Sequence, residues 1–126
     1  MAFRRPALLI PVTFVYQGSV DNITDYPLGQ FHFDGEIYYI EVDMHDANNT
    51  FDETDLTFKA GSTTLDVITV SAQSGTPALT SVDNDDLTEA SVSADDACTC
   101  SMEDVSTGAD LGFTATFWIN PTDFAN

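Results

Sequence analysis

Positive charge is nearly absent from this sequence. Lys and Arg together number three in 126 residues, against 21 Asp and Glu, so the formal net charge is -18 at pH 7. The three cations are Arg4, Arg5 and Lys59. Phosphate backbones and anionic lipid headgroups are bound through Lys and Arg, so an acidic chain is repelled by both. The composition predicts no nucleic-acid partner and no membrane partner.

Long apolar runs are also missing, since no stretch approaches the roughly 20 residues that cross a bilayer. Two arginines precede a short apolar patch near the N-terminus, as in a signal peptide, but Pro6 and Pro11 interrupt that patch. The pattern therefore favours a chain without a signal peptide. The hydrophobic fraction of 43% is ordinary for a folded protein, so the charge does not predict disorder.

The length favours one domain with one core. Residues 1–7 carry two of the three positive charges and have no periodicity. We interpret them as an N-terminal arm before a domain at residues 8–126; a frayed terminus is the alternative.

Cysteine and histidine are too few for a disulfide framework or a standard zinc site. Cys98 and Cys100 are two residues apart, which on a strand places them on one face but too far apart for easy disulfide geometry. Zinc usually takes four ligands, and His32 and His45 do not form a second pair. We predict two reduced, buried thiols and no metal.

Signatures of catalysis are missing as well. Ser and Asp are abundant, but no Gly-x-Ser-x-Gly motif or similar local pattern marks a nucleophile. No glycine-rich loop precedes a helix to bind phosphate. The segment Asp83–Asp86 begins like a calcium loop, yet Leu87 and Thr88 replace the next required residues. A solvated loop is favoured there, with a calcium ion at an interface left open. The sequence predicts no enzyme and no cofactor.

Two-residue alternation is the strongest pattern that is present. It is clearest from Leu111 to Ile119, where every second residue is apolar, and Pro121 is expected to end that strand. The same pattern runs from Leu8 to Tyr16, with Pro11 indicating a sheet edge or a bulge, and from Glu36 to Met44.

Turn residues separate seven to nine short segments of this kind, and no stretch has a helical period. These features predict an all-β fold, an antiparallel β-sandwich or jelly roll. We expect a polar connection at 18–29, a hairpin turn at Asp34-Gly35 and a second turn at Gly61-Ser62 between strands. We also expect a strand at 88–93, and a strand containing the cysteines that pairs with the last strand across 106–110.

The aromatic residues exceed what the core requires. Tyr39 and Trp118 are predicted to point away from the core, and Ile37 alternates onto the same face as Tyr39. Exposed aromatic surface usually marks a contact. Two interpretations are open, a subunit interface and a carbohydrate platform, and the small size of the domain favours the interface.

Four segments together resemble a known family. They are Asp34–Val42, Asp55–Leu65, Ala94–Cys100 and Val105–Leu111, the most specific part being Thr107-Gly-Ala-Asp-Leu111. In this order they are similar to the small β-sandwich domains of tailed-phage virion proteins, found in capsid decoration or cement proteins and in head or tail fibres. The resemblance covers roughly residues 34–119.

The resemblance implies a non-enzymatic virion protein. The expected function is decoration of the outer surface of a phage head, where a trimer binds the major capsid protein and stabilises the shell. Phe3, Arg4 and Arg5 would form the shell-binding part of the arm, in which the two arginines bind carboxylates of the shell or of a neighbouring subunit. Ile37, Tyr39 and Trp118 would form the subunit interface. The alternative is a head or tail fibre domain that binds a host-surface glycan.

Overall fold

The computed structural model describes residues 9–17, 22–45, 53–71, 79–83, 86–103 and 112–122. Within these ranges the chain forms nine β-strands and no α-helix. The strands are β1 (Ile10–Tyr16), β2 (Ile23–Gln30), β3 (Gly35–Met44), β4 (Glu53–Ala60), β5 (Thr63–Ser71), β6 (Leu79–Asp83), β7 (Ser91–Val92), β8 (Ala97–Glu103) and β9 (Phe113–Pro121).

The strands form two antiparallel sheets packed face to face. Sheet 1 has the order β1-β9-β3-β6, with the two-residue β7 also paired to β3, and sheet 2 has the order β2-β8-β4-β5. When β7 is set aside and the other eight strands are counted in chain order, the sheets read 1-8-3-6 and 2-7-4-5. This interleaved order is the jelly-roll topology. The predicted all-β sandwich is confirmed, and β1, with Pro11, lies at a sheet edge as expected.

The core lies between the inner faces of the two sheets. Along β9, residues Phe113, Ala115, Phe117 and Ile119 have no exposed surface, while the residues between them are half-buried. This is the alternation that the sequence predicted. The other fully buried large side chains come from both sheets and from one connection; they are Phe31, Ile37, Ile40, Met44, Leu56, Phe58, Leu65, Ile68 and Met102.

Phe117 is the centre of the aromatic part of this core. Its ring makes edge-to-face contacts with Phe14 of β1, Phe58 of β4 and Phe31, at centroid distances of 5.7, 5.5 and 5.5 Å. Aromatic pairs prefer this geometry because the positive ring edge meets the negative ring face. Phe117 therefore joins the two sheets and the connection between β2 and β3.

Two predicted hairpins are wrong. The cysteine strand β8 pairs with β2 and β4, whereas β9 pairs with β1 and β3, so the two strands lie in opposite sheets. Asp34-Gly35 does not turn a hairpin either, because β2 and β3 also lie in opposite sheets. In both cases successive strands cross between sheets, which local turn residues do not reveal. The predicted turn at Gly61 does join paired strands, β4 and β5, and Gly61 has a φ of 61°.

Two strands were missed and one was overestimated. The predicted connection at 18–29 contains most of β2, an exposed edge strand whose pairing with β8 is interrupted by two register shifts. Its polar residues and its lack of alternation concealed it. Strand β6 was not predicted, and of the strand expected at 88–93 only Ser91–Val92 is paired.

Candidate functional site

A β-bulge in β3 decides which side chains reach the outer face of sheet 1. Ile37 is opposite Ile119 and Tyr39 is opposite Trp118, so two residue steps on β3 match one step on β9. The extra residue is Tyr38, and the alternation of β3 changes phase there. Ile37 consequently lies in the core with no exposed surface. Its predicted place on the outer face beside Tyr39 is wrong, because a strict period of two does not allow for a bulge.

Tyr39 and Trp118 lie on the outer face, as predicted. Their rings are stacked, with centroids 5.6 Å apart and planes inclined by 16°. Both side chains are half-buried. Directly opposite residues on adjacent strands are the closest neighbours in a sheet, so the pair holds both rings in one arrangement.

A carboxylate lies at the edge of this aromatic pair. The indole Nε1 of Trp118 donates a hydrogen bond of 2.6 Å to Oε1 of Glu41. Glu41 follows Tyr39 by two residues on β3 and so shares its face. The indole N–H therefore has its partner within the sheet, and the carboxylate of Glu41 has further acceptor positions beyond this bond.

The rest of the outer face of sheet 1 carries several polar side chains. Thr13 and Thr116 bond to each other across β1 and β9 at 3.2 Å, and His45 Nε2 lies 2.7 Å from Thr114 Oγ1. Val15, at the β1 edge, is 50% exposed. We call the surface formed by Thr13, Tyr39, Glu41, Thr116 and Trp118 the aromatic face. No Lys or Arg lies among its residues.

The arm residues Phe3, Arg4 and Arg5 lie outside the described residues. So do Thr107–Leu111 and the centre of the acidic segment Asp83–Asp86. The structure therefore brings together two of the predicted interface residues, Tyr39 and Trp118, and removes Ile37 from that group.

An ion pair on the outer face of sheet 2 was not predicted. Lys59 of β4 donates a hydrogen bond of 3.1 Å to Oδ1 of Asp25, which also accepts one of 3.2 Å from the hydroxyl of Ser101. The backbone N–H of Asp25 in turn donates to Ser101 Oγ at 2.9 Å. Asp25 has a φ of 50° at the irregular part of β2. These bonds fasten the edge strand β2 to β8 and β4.

These bonds, first that from Lys59 and then that from Ser101, lower the pKa of Asp25 below its ordinary value of 3.8. A folded-state pKa below the unfolded one stabilises the protein above the unfolded pKa, and this contribution is lost as the pH falls through the folded pKa. We expect Lys59→Met to raise the pKa of Asp25 towards 3.8, as measured by NMR titration of its carboxyl carbon.

Glu89 provides an internal control for that titration. The pKa of Glu89 is lowered mainly by a hydrogen bond from the backbone N–H of Ser91. Glu89 should therefore titrate in the same way in the wild type and in Lys59→Met. Identical Asp25 curves with and without Lys59 would contradict the ion pair.

The two cysteines are free, buried thiols on the inner face of β8, as predicted. Burial raises the pKa of Cys98 to about 12. Burial also raises the pKa of Cys100, and the neighbouring Cys98 raises it further. Because the thiolate is the reactive form, both side chains are poorly suited to nucleophilic or redox chemistry.

We therefore expect the native protein to resist alkylation. Iodoacetamide at about pH 8 should label neither Cys98 nor Cys100 in the folded protein, because both thiols are protonated and inaccessible. In guanidinium chloride both should react, which mass spectrometry would record as two adducts per chain. Labelling of the folded protein within minutes would contradict the buried position of β8.

The described residues contain neither a cluster of metal ligands nor an unpaired buried polar group in a side chain. Among them, no group of three or more His, Cys, Asp or Glu side chains is placed to hold a metal ion. In the same residues, no buried side-chain nitrogen or oxygen lacks a hydrogen-bond partner. Nor does this part of the chain contain a helix with the length and apolar character needed to cross a membrane. The stacked rings of Tyr39 and Trp118 and the adjoining carboxylate of Glu41 make the aromatic face the strongest candidate for a functional surface.

No family model matches the sequence, and no curated protein matches it either.

Proposed function

We propose that this chain is a capsid decoration protein of a tailed phage. In this role it binds the major capsid protein on the outer surface of the head, as a trimer, and stabilises the shell without performing chemistry. Support comes from the resemblance of residues 34–119 to virion domains and from the jelly-roll topology, which viral capsid and lectin domains use. Because one fold hosts many functions, the proposal depends on the surface.

The aromatic face is the observation that carries the proposal. Tyr and Trp are enriched at protein interfaces, where they contribute large contact areas with few rotatable bonds. Stacking and the bond from Trp118 to Glu41 already fix the two rings, so little further conformational entropy is lost when a partner binds. This is the property expected of a permanent subunit contact in a particle.

The charge distribution fits a small protein that coats a larger assembly. Apart from Lys59, which is bound to Asp25, the chain beyond residue 5 has no Lys or Arg, so the body is strongly acidic and remains soluble. The arm, with Phe3, Arg4 and Arg5, supplies the segment able to bind carboxylates of the shell or of a neighbouring subunit. Arg suits this role because its planar guanidinium pairs with a carboxylate through two hydrogen bonds.

Shell stability tests the proposal directly. A protein that binds the assembled shell, and does not bind its dissociated subunits, raises the stability of the shell by mass action. Phage heads that carry the protein should melt at a higher temperature than heads lacking it, as measured by scanning calorimetry. Equal melting temperatures at full occupancy would exclude a stabilising role.

Copy number and arm deletion make the test more specific. Hundreds of copies per particle, counted by quantitative mass spectrometry, support decoration, whereas a handful indicates a fibre or tail component. A variant lacking residues 1–7 should retain the jelly roll and lose most of its binding to shells. Unchanged occupancy would exclude the arm from shell binding.

The second candidate is a head or tail fibre domain that binds a host glycan. The pair Tyr39 and Trp118 favours it, because sugars pack on aromatic rings, and jelly rolls include lectin domains. A glycan array with wild type and Trp118→Ala would detect such binding, and a chelator would indicate whether an acidic-loop calcium ion takes part. Binding that requires Trp118 but no shell would favour this candidate over decoration.

A further inference from the structure

We propose that the aromatic face binds the N-terminal arm of a second copy of this chain, with Arg4 or Arg5 held between Glu41 and the rings of Tyr39 and Trp118. This inference rests on the proposed function, because it names the partner of the surface that carries it. In this arrangement, neighbouring copies of the chain contact each other by exchanging their N-terminal arms.

The aromatic face has the chemistry of an arginine site. Glu41 uses Oε1 for the indole N–H of Trp118, and an ionised carboxylate has about four acceptor positions, so it can also accept from a guanidinium. The adjacent stacked rings offer π-faces, and Arg over Trp or Tyr is a favourable cation–π contact. A guanidinium is planar and weakly hydrated, which lets it stack on a ring and pair with a carboxylate at once.

The sequence leaves one source for such a cation within this protein. Arg4 and Arg5 are its two arginines, and Lys59 is bound by Asp25 on the outer face of sheet 2. Without the arm, the chain carries 21 Asp and Glu against one Lys and no Arg, a formal charge of -20 with His neutral. Two such bodies repel each other, so an arm that carries positive charge to the neighbour supplies the attraction that association needs.

The topology favours the neighbour's face over the arm's own. The arm precedes β1, an edge strand in which Pro11 lies directly opposite Trp118. To cover its own Trp118, the arm would have to fold back within a few residues of Ile10. Seven residues can span at most about 23–25 Å, which sets the upper limit on the reach of the arm.

The contact also sets the symmetry of the assembly. An arm of one copy on a face of the next joins two different surfaces and is therefore heterologous. Repeated with a closing rotation, such contacts form a ring, which agrees with the proposed trimer.

Charge reversal provides the test. The oligomer dissociation constant would be measured for the full chain by sedimentation equilibrium at fixed salt. We expect Glu41→Lys to raise it by about tenfold or more, and the double variant Arg4→Glu/Arg5→Glu to do the same, because each places like charges together. The triple variant Arg4→Glu/Arg5→Glu/Glu41→Lys should have a dissociation constant within about threefold of that of the wild type. The reason is that the charges of the arm and of the aromatic face are again opposite.

Glu103→Lys is the matched control. Glu103 is exposed at the end of β8 in sheet 2, and its reversal changes the net charge by the same amount as Glu41→Lys. Glu103→Lys makes the net charge less negative, which reduces the repulsion between copies and by itself strengthens association. This variant should therefore not raise the dissociation constant. If the two variants behave alike, or if the triple variant is not restored, the proposed contact is overturned. Circular dichroism of each variant checks that the sandwich has formed.

Trp118 is the sole tryptophan and reports occupation of the face directly. In the wild type, acrylamide quenching of its fluorescence should be weaker at high protein concentration than after dilution, and in Arg4→Glu/Arg5→Glu it should be strong at both. The contrary result is protection of Trp118 from acrylamide that requires the arginines but does not change on dilution. That result would mean that the arm covers the aromatic face of its own chain, and it would overturn the inference. Shell occupancy is a separate measurement, so arm exchange without shell binding would refute the proposed function alone.

Discussion

The melting temperature of the protein should rise by about 15 °C or more when sodium chloride is raised from about 0.05 M to about 1 M. A net charge of -18 on an accessible surface of 6867 Å2 repels itself more strongly in the folded state than in the expanded unfolded chain. We treat the folded protein as a charged sphere of that area and compare it with the expanded unfolded chain. Coulomb's law with Debye screening then gives about 5 kcal/mol of stabilisation of the folded state between the two salt concentrations. Differential scanning fluorimetry would measure the effect.

The control separates charge screening from general salt effects. Four exposed carboxylates can be neutralised without altering the core: Glu36, Asp43, Asp86 and Glu103. Replacing each by Gln or Asn makes the net charge less negative. This variant should melt higher than wild type at low salt and show a smaller rise with salt. A melting temperature that is independent of salt in both proteins would contradict self-repulsion as the main limit on stability.

Phe117→Ala should cost about 3–5 kcal/mol of unfolding free energy, the range for large-to-small changes of aromatic core residues. Phe117 has no exposed surface and contacts three other phenylalanine rings, so the substitution leaves a cavity where the two sheets meet. The loss is a large share of the roughly 5–15 kcal/mol that stabilises most domains. Urea unfolding at about 1 M salt, where charge repulsion is screened, would measure it.

Thr116→Val is the matched control on the same strand. Thr116 is half-buried on the outer face and bonds to Thr13 at its hydroxyl, while valine keeps the branched shape that suits a strand. We expect its unfolding free energy to lie within about 0.5 kcal/mol of wild type. If Phe117→Ala unfolds at the same urea concentration as Thr116→Val, Phe117 is not the centre of the core.

Much of the fold was predictable because its strongest strands are buried on one face. In β9, burial of Phe113, Ala115 and Phe117 requires a period of two, and the sequence carries that period without interruption. For the same reason the sequence predicted β1, the outward direction of Tyr39 and Trp118, and the buried thiols of β8. It did not predict how these strands pair, because a jelly roll pairs strands that are distant in the chain.

The candidate site was predicted only in part, for the same physical reason. The bulge at Tyr38 results from the fit of β3 to β9, so nothing local in the sequence marks the change of phase that sends Ile37 into the core. The bond from Trp118 to Glu41 and the ion pair of Lys59 with Asp25 join residues 77 and 34 positions apart. Such contacts become visible only when the strand order is known.

The pairing of Ile10 with Ile119 has a consequence for the connectivity of the molecule. The described chain enters β1 and leaves β9 on neighbouring strands at one end of sheet 1, so a short linker could join these points without crossing the sandwich. A circular permutant opened at the exposed turn Gly61-Ser62 would keep every strand pair and lose only the loop between β4 and β5. The jelly roll would then begin at β5, with the arm segment as an internal loop.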